Sequence, residues 1–260
     1  MIRDCRLRLV TVCVLGVASC SSGAPQDSVM HGFAGAAAVV AADSVPGSGP
    51  RPGGSGSEPL EHDDSARARH RFENAARWSQ VWDDPERDGW QEPQRVVDLL
   101  RTQPGMRVAD IGAGTGYFNR YLSRAVGPEG VVYAVDVEST LVAHMRARAA
   151  DEATPNVRPI LGAPDDPRIP VPRLDRVLLV DVYHHIDGRV AYFRRLRRQL
   201  DERSLVVVID WLPGQLARGP DPQHKISAEE TMEEMRAAGY SVVERTDLRY
   251  QYVLVFRPQP

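Results

Sequence analysis

Val108-Ala-Asp110-Ile-Gly112-Ala-Gly114-Thr-Gly116-Tyr-Phe118 decides how this chain folds. Its first residues form a short apolar run suited to a buried strand. Its three alternate glycines mark a tight turn, and the aromatic pair opens a helix. About twenty residues later a second apolar run, Val131-Val-Tyr-Ala-Val135, ends in Asp136. Strand, glycine turn, helix and a strand ending in an acid make a βαβ unit. The glycines let a ligand approach the backbone, and the acid accepts hydrogen bonds from ribose hydroxyls.

The glycine spacing separates two kinds of adenosine ligand. A dinucleotide fingerprint, G-x-G-x-x-G, needs a third glycine at position 117, where this chain has Tyr117. The pattern present is D-x-G-x-G-x-G, with Asp110 two residues before the first glycine. A carboxylate there repels a pyrophosphate and attracts a cation. These residues resemble the first motif of class I S-adenosyl-L-methionine (SAM) dependent methyltransferases of the small-molecule, type 11/25 kind. With the strand order below, the resemblance covers roughly residues 90 to 260. It implies SAM as cofactor and an enzyme of the EC 2.1.1 class. Asp110, Gly112, Gly114 and Gly116 would face its amino acid part, and Asp136 would hold its ribose.

Working outward, strands are predicted at 107–111, 131–135, 157–161, 176–180, 205–209, 240–245 and 249–256, with helices at 117–126, 140–150 and near 189–200. The Val/Leu runs of the fourth and fifth strands predict burial on both faces, as in a parallel sheet. Ser227-Ala-Glu-Glu230 reads as a capping box that opens another helix. The last two strands are joined by a short turn and so pair antiparallel. The expected fold is α/β: a Rossmann-like, seven-stranded, mostly parallel sheet with an antiparallel last strand and helices on both faces. Ahead of it, 71–82 and 93–100 have helical spacing. In related methyltransferases such helices cover cofactor and substrate; otherwise Trp78, Trp82 and Trp90 only pack against the sheet.

Ligands of open α/β sheets bind beyond the carboxyl ends of the strands. After the third strand the family often has an acid for the adenine amino group; here that place is Ala163, with Asp165 and Asp166 as the nearby substitutes. After the fourth strand comes Asp181-Val-Tyr183-His184-His185, where the family faces the reactive methyl and its acceptor. Asp181 is assigned to the cofactor, and Tyr183, His184 and His185 are the catalytic candidates. A histidine takes a proton from an attacking oxygen or nitrogen near neutral pH. After the fifth strand, Asp210 and Trp211 line the acceptor side. No set of His and Asp has metal-ligand spacing.

The N-terminus carries a different message. Arg3, Arg6 and Arg8 precede an apolar run, Leu9 to Val17, that is short for a membrane span. Val17-Ala-Ser-Cys20 resembles a bacterial lipobox, implying a signal peptide over 1–20 and lipidation of Cys20. Ser21 after it implies the periplasmic side of the outer membrane in a two-membrane host. The alternative is an uncleaved or chance apolar N-terminus. Residues 21–66, rich in Gly, Ala, Ser and Pro, read as a tether between a membrane and a domain at 67–260, with 67–104 as a helical lid. The three cysteines, Cys5, Cys13 and Cys20, all precede that domain. The net charge of −3 gives no ground for nucleic acid binding.

SAM is made in the cytoplasm, whereas an exported lipoprotein ends outside it. Two function classes follow. One is a lipid-tethered methyltransferase with a small-molecule acceptor. The other is a non-catalytic lipoprotein that keeps a SAM, nucleoside or small-ligand pocket on a reused fold. An NAD-dependent oxidoreductase is disfavoured by Tyr117.

Overall fold

A computed structural model describes residues 74–260. The signal at 1–20, the tether at 21–66 and the first residues of the domain lie outside the described residues. Three short helices come first: α1 (Ala75–Trp82), α2 (Asp88–Gln91) and α3 (Pro93–Leu99), with a 3-10 turn at Pro85–Arg87. Then β1 (Arg107–Ile111), β2 (Val131–Asp136), β3 (Val157–Leu161), β4 (Arg176–Val180) and β5 (Leu205–Trp211) alternate with helices α4 (Asn119–Val126), α5 (Ser139–Asp151) and α6 (Arg189–Leu196). Helix α7 (Ala228–Ala237) leads to β6 (Tyr240–Asp247) and β7 (Gln251–Pro258). The seven strands lie in the order β3-β2-β1-β4-β5-β7-β6. The first five are parallel, and β7 runs antiparallel to both β5 and β6. This is the Rossmann-like architecture expected from the sequence.

Strand alternation builds two cores from one sheet. Val206 and Val208 of β5 join Leu254 and Phe256 of β7 on one face, under Phe193 and Leu196 of α6 and Met235 of α7. Val207 and Ile209 join Val253 and Val255 on the other, with Val97, Leu122, Val142 and Met145 from α3, α4 and α5. Each of these fully buried side chains contributes roughly 1.5–3 kcal/mol. The side chain of Ser227 accepts the Glu230 N–H at 3.1 Å, the first half of a capping box that fixes where α7 begins.

Several boundaries moved; the last strand, for instance, runs over Gln251–Pro258 where 249–256 was expected. The helix expected from residue 117 starts at Asn119, because Tyr117 and Phe118 complete the glycine turn. The helix expected over 189–200 tightens into a 3-10 turn at Arg197–Gln199. Among the described residues no helix is long and apolar enough to cross a membrane.

Candidate cofactor and acceptor site

The order of strands reverses direction in sequence between β1 and β4, and the crevice of such sheets opens there, at the carboxyl ends. The cofactor candidates gather at this edge from three adjacent strands: Asp110 and the glycines from β1, Asp136 from β2, and Asp181 just past β4.

Gly112, Gly114 and Gly116 have φ of +73°, +58° and +85°, the left-handed region that side chains resist. Gly112 and Ala113 donate N–H bonds to the Val135 carbonyl at 2.8 and 2.9 Å, tying the turn to β2. A Cβ at Gly112 would stand 2.2 Å from Val182 Cγ2, so the turn closes against the segment after β4 only with glycine there. The N–H of Gly114 donates to Asp136 Oδ2 at 2.9 Å, and the N–H of Glu138 donates to Oδ1 at the same distance. Asp136 is 8 % exposed. Burial lifts its carboxyl to about 6, against the two backbone donors that favour the charge.

Asp110 is 3 % exposed, and burial raises its carboxyl to about 7, with Arg87 pulling it down and Asp136 pushing it up. Burial likewise raises Asp181 to about 7, opposed by Arg87 and by the 2.6 Å bond donated by Gln251 Nε2. Asp181 also sits at φ +59°, a strained backbone for a non-glycine residue. A buried acid, Asp110, and a partly buried one, Asp181, at one sheet edge form a receptor for positive charge.

At the far side of β4 the peptide winds through a 3-10 turn, Tyr183–His185. Such a turn spaces successive side chains about 120° apart, and Tyr183 parts from the two histidines, whose rings stay together. Tyr183 turns into the core beneath α6 and α7. It is fully buried, stacks on Phe193 and donates its hydroxyl to Glu234 at 2.9 Å. Burial and that acid push its phenol far above the usual range. Tyr183 is therefore held away from the cofactor edge, and its position corrects the expectation of a catalytic tyrosine. His185 is exposed, its ring 4.0 Å from that of His184. His184 faces Asp210, a fully buried acid at the end of β5. Nδ1 of His184 lies 2.8 and 2.9 Å from the two carboxylate oxygens, and its backbone N–H donates to the same group at 3.1 Å. The Trp211 N–H adds a fourth contact at 2.8 Å. A carboxylate only accepts, so Nδ1 carries the proton and Nε2 of the neutral ring is the basic nitrogen.

Asp165 and Asp166, the substitutes for an adenine contact, both pair with Arg195 of α6, at 2.9 and 3.5 Å. The sequence reading missed Arg87, Gln91 and Gln251. Gln91 Nε2 donates to Gln251 Oε1 at 2.8 Å with both residues fully buried, and nothing in their sequence context sets them apart.

Residues 108–203 match the family described as a methyltransferase domain. A solved SAM-dependent methyltransferase from Aquifex aeolicus superposes with a TM-score of 0.66 at 25 % identity, covering 70 % of this chain and 97 % of that one. Residues 108–203 thus match a methyltransferase domain and lie on the Rossmann-like fold of solved SAM-dependent methyltransferases. The cofactor is SAM, and the site fits it: a glycine-rich turn, an acid ending β2, and a buried and a partly buried carboxylate suited to a cationic end. Among curated proteins the domain is similar to nocamycin O-methyltransferase of Saccharothrix syringae, 32 % identical over 108 residues, 40 % of this chain and 39 % of that one. It is also similar to the ubiquinone/menaquinone biosynthesis C-methyltransferase of Burkholderia vietnamiensis, 29 % identical over 118 residues, 45 % and 47 % of the two chains. The chain thus spans less than half the length of these curated relatives.

Proposed function

We propose that this protein transfers the SAM methyl group to a hydroxyl of a small-molecule acceptor, and that Cys20 carries a lipid that tethers it to a membrane. The observation that carries the first part is the convergence of Asp110, the glycine turn, Asp136 and Asp181 on one sheet edge, with the His184–Asp210 pair beside it.

SAM supplies an electrophilic methyl on a sulfonium. Asp110 and Asp181 hold positive charge at the end of β1 and β4. Asp136 accepts from the ribose hydroxyls and keeps the Gly114 turn in register. His184 takes the acceptor proton at Nε2. Asp210 fixes the ring tautomer and stabilises the imidazolium that results, as an acid behind a catalytic histidine does. A neutral hydroxyl needs such a base, whereas an amine or activated carbon can react through positioning alone. This pair therefore favours an O-acceptor, and favours catalysis over the retained-pocket reading. The similarity to nocamycin O-methyltransferase supports the same choice.

The test is label transfer from methyl-tritiated SAM to a panel of small phenols and enols. A labelled ether is expected. Bound SAM with no product on any hydroxylated acceptor counts against an O-methyltransferase. For the tether, cells fed labelled palmitate are expected to label the wild-type chain and not Cys20→Ala; equal labelling of both removes Cys20 as the anchor.

A further inference from the structure

Half of the residues of the segment Trp82-Asp-Asp-Pro-Glu-Arg-Asp-Gly-Trp-Gln91 are charged, yet it is bound into the cleft at successive points. The indole of Trp82 covers the open side of Gly114: a Cβ on that glycine would be 3.2 Å from two of its ring carbons. Asp83 accepts from the Thr115 hydroxyl at 3.1 Å and from Arg148 at 2.8 Å, clamping the segment to the glycine turn. Asp88 accepts from the hydroxyls of Tyr117, at the end of the glycine turn, and Tyr121, in the first turn of α4.

Arg87 is the centre of the arrangement. Its guanidinium lies 4.1 Å over the Tyr117 ring and donates to Gln91 Oε1 and to the Trp82 carbonyl. Its Nη2 stands 4.0 Å from Asp181 Oδ2. Gln91 continues through Gln251 to the other oxygen of Asp181. Arg87 is also the charge that stabilises ionised Asp110. The two acids suited to a ligand cation, Asp110 and Asp181, are thus answered by a cation of the chain. Beside this packing a cavity of about 220 Å³ lies between Asp83, Asp88, Tyr117, Arg120 and Arg148. Pockets for small ligands begin at roughly 300 Å³.

We infer that Trp82–Gln91 is a strap standing in the cofactor's place, with Arg87 supplying the cation and Trp82 the flat ring over the glycine turn. SAM displaces it to bind. The inference rests on the SAM reading of the site. The strap also covers the acceptor side, since Trp90 packs against Trp211 and Tyr250, with ring centroids 5.8 and 6.0 Å apart. Its release therefore opens both halves of the active site together. While the strap is in, the apparent affinity for cofactor is reduced by the fraction of molecules that are open.

The experiment is hydrogen exchange on the full chain with and without saturating S-adenosylhomocysteine, the demethylated product, together with calorimetric titration of wild type and Arg87→Ala. The strap predicts that amides of 82–91 exchange faster when the product is bound, while those of 108–118 are protected. It predicts a dissociation constant about tenfold lower for Arg87→Ala, as expected where about a tenth of wild-type molecules are open. Added protection of 82–91, or an unchanged or weaker affinity in Arg87→Ala, overturns the strap and makes Arg87 part of the cofactor's own site. If Arg87→Ala fails to fold, the wild-type exchange pattern alone decides. Absence of binding in both proteins overturns the cofactor reading itself, and the strap with it.

Discussion

Asp110→Asn is expected to weaken SAM binding at least about 100-fold while making the domain more stable at pH 8. The two effects have one cause. Removing one partner of a buried charge pair costs about 3–5 kcal/mol, and in the cofactor complex the partner of Asp110 would be the cofactor cation. Without the cofactor, the buried carboxyl is a burden. Its folded value, about 7, is raised above the unfolded value near 3.8. A raised acid contributes most to stability below 3.8, where both states hold the proton. That contribution shrinks as pH climbs and is gone above 7, where the ionised group sits desolvated. The full penalty is at most about 4 kcal/mol, partly relieved by Arg87. Asparagine, neutral at every pH, escapes it. Urea denaturation at pH 5 and pH 8 is expected to show a gain in Asp110→Asn that is large at pH 8 and small at pH 5. By the same sign, wild-type affinity for SAM is expected to rise as pH passes through about 7, where Asp110 and Asp181 ionise. A variant that binds SAM normally would remove Asp110 from the cofactor site.

His184→Ala is expected to lower kcat by about 100- to 10,000-fold with the affinity for S-adenosylhomocysteine unchanged. The histidine and Asp210 lie past β4 and at the end of β5, off the glycine turn, so their loss touches the proton and spares the cofactor. Asp210→Asn keeps the size of the side chain but offers a donor as well as an acceptor to Nδ1, so it no longer enforces the tautomer. It is expected to reproduce most of the kcat loss without raising the acceptor KM. A loss confined to KM would mean that the pair shapes the acceptor pocket and moves no proton. Tyr183→Phe is the contrast, since its hydroxyl serves Glu234 inside the core.

Much of this site was legible from residue types and spacing because backbone geometry carries it. Three glycines at alternate positions and acids ending successive strands are demands of the turn and the sheet edge, and these demands appear locally in sequence. The sheet order was legible for the same reason: continuous Val/Leu runs in β4 and β5 mean burial on both faces, and the short link between β6 and β7 means an antiparallel pair. What escaped depends on where side chains meet across distance. The strap has no apolar period, since Asp83, Asp84, Glu86, Arg87 and Asp88 would suit a solvated loop equally well. Its role comes from Thr115, Tyr117, Arg148 and Asp181, which lie 28 to 94 residues further along the chain from Arg87. Gln251 looks like any strand residue until Gln91 is placed against it. Tyr183 neighbours the two histidines in sequence, but the 3-10 turn carries it away from them and into the core, where its hydroxyl meets Glu234.

The central claim is that this sheet edge holds SAM through Asp136. Calorimetric titration of S-adenosylhomocysteine into the wild-type chain and into Asp136→Ala tests it most directly. The carboxylate accepts from Gly114 and Glu138 here and would accept from ribose hydroxyls when cofactor is bound, so its removal costs both the turn and the sugar contact. Micromolar binding to wild type, weakened at least about 100-fold in Asp136→Ala, is the predicted result. Equal binding to both proteins, or none to wild type and Arg87→Ala alike, would contradict the account.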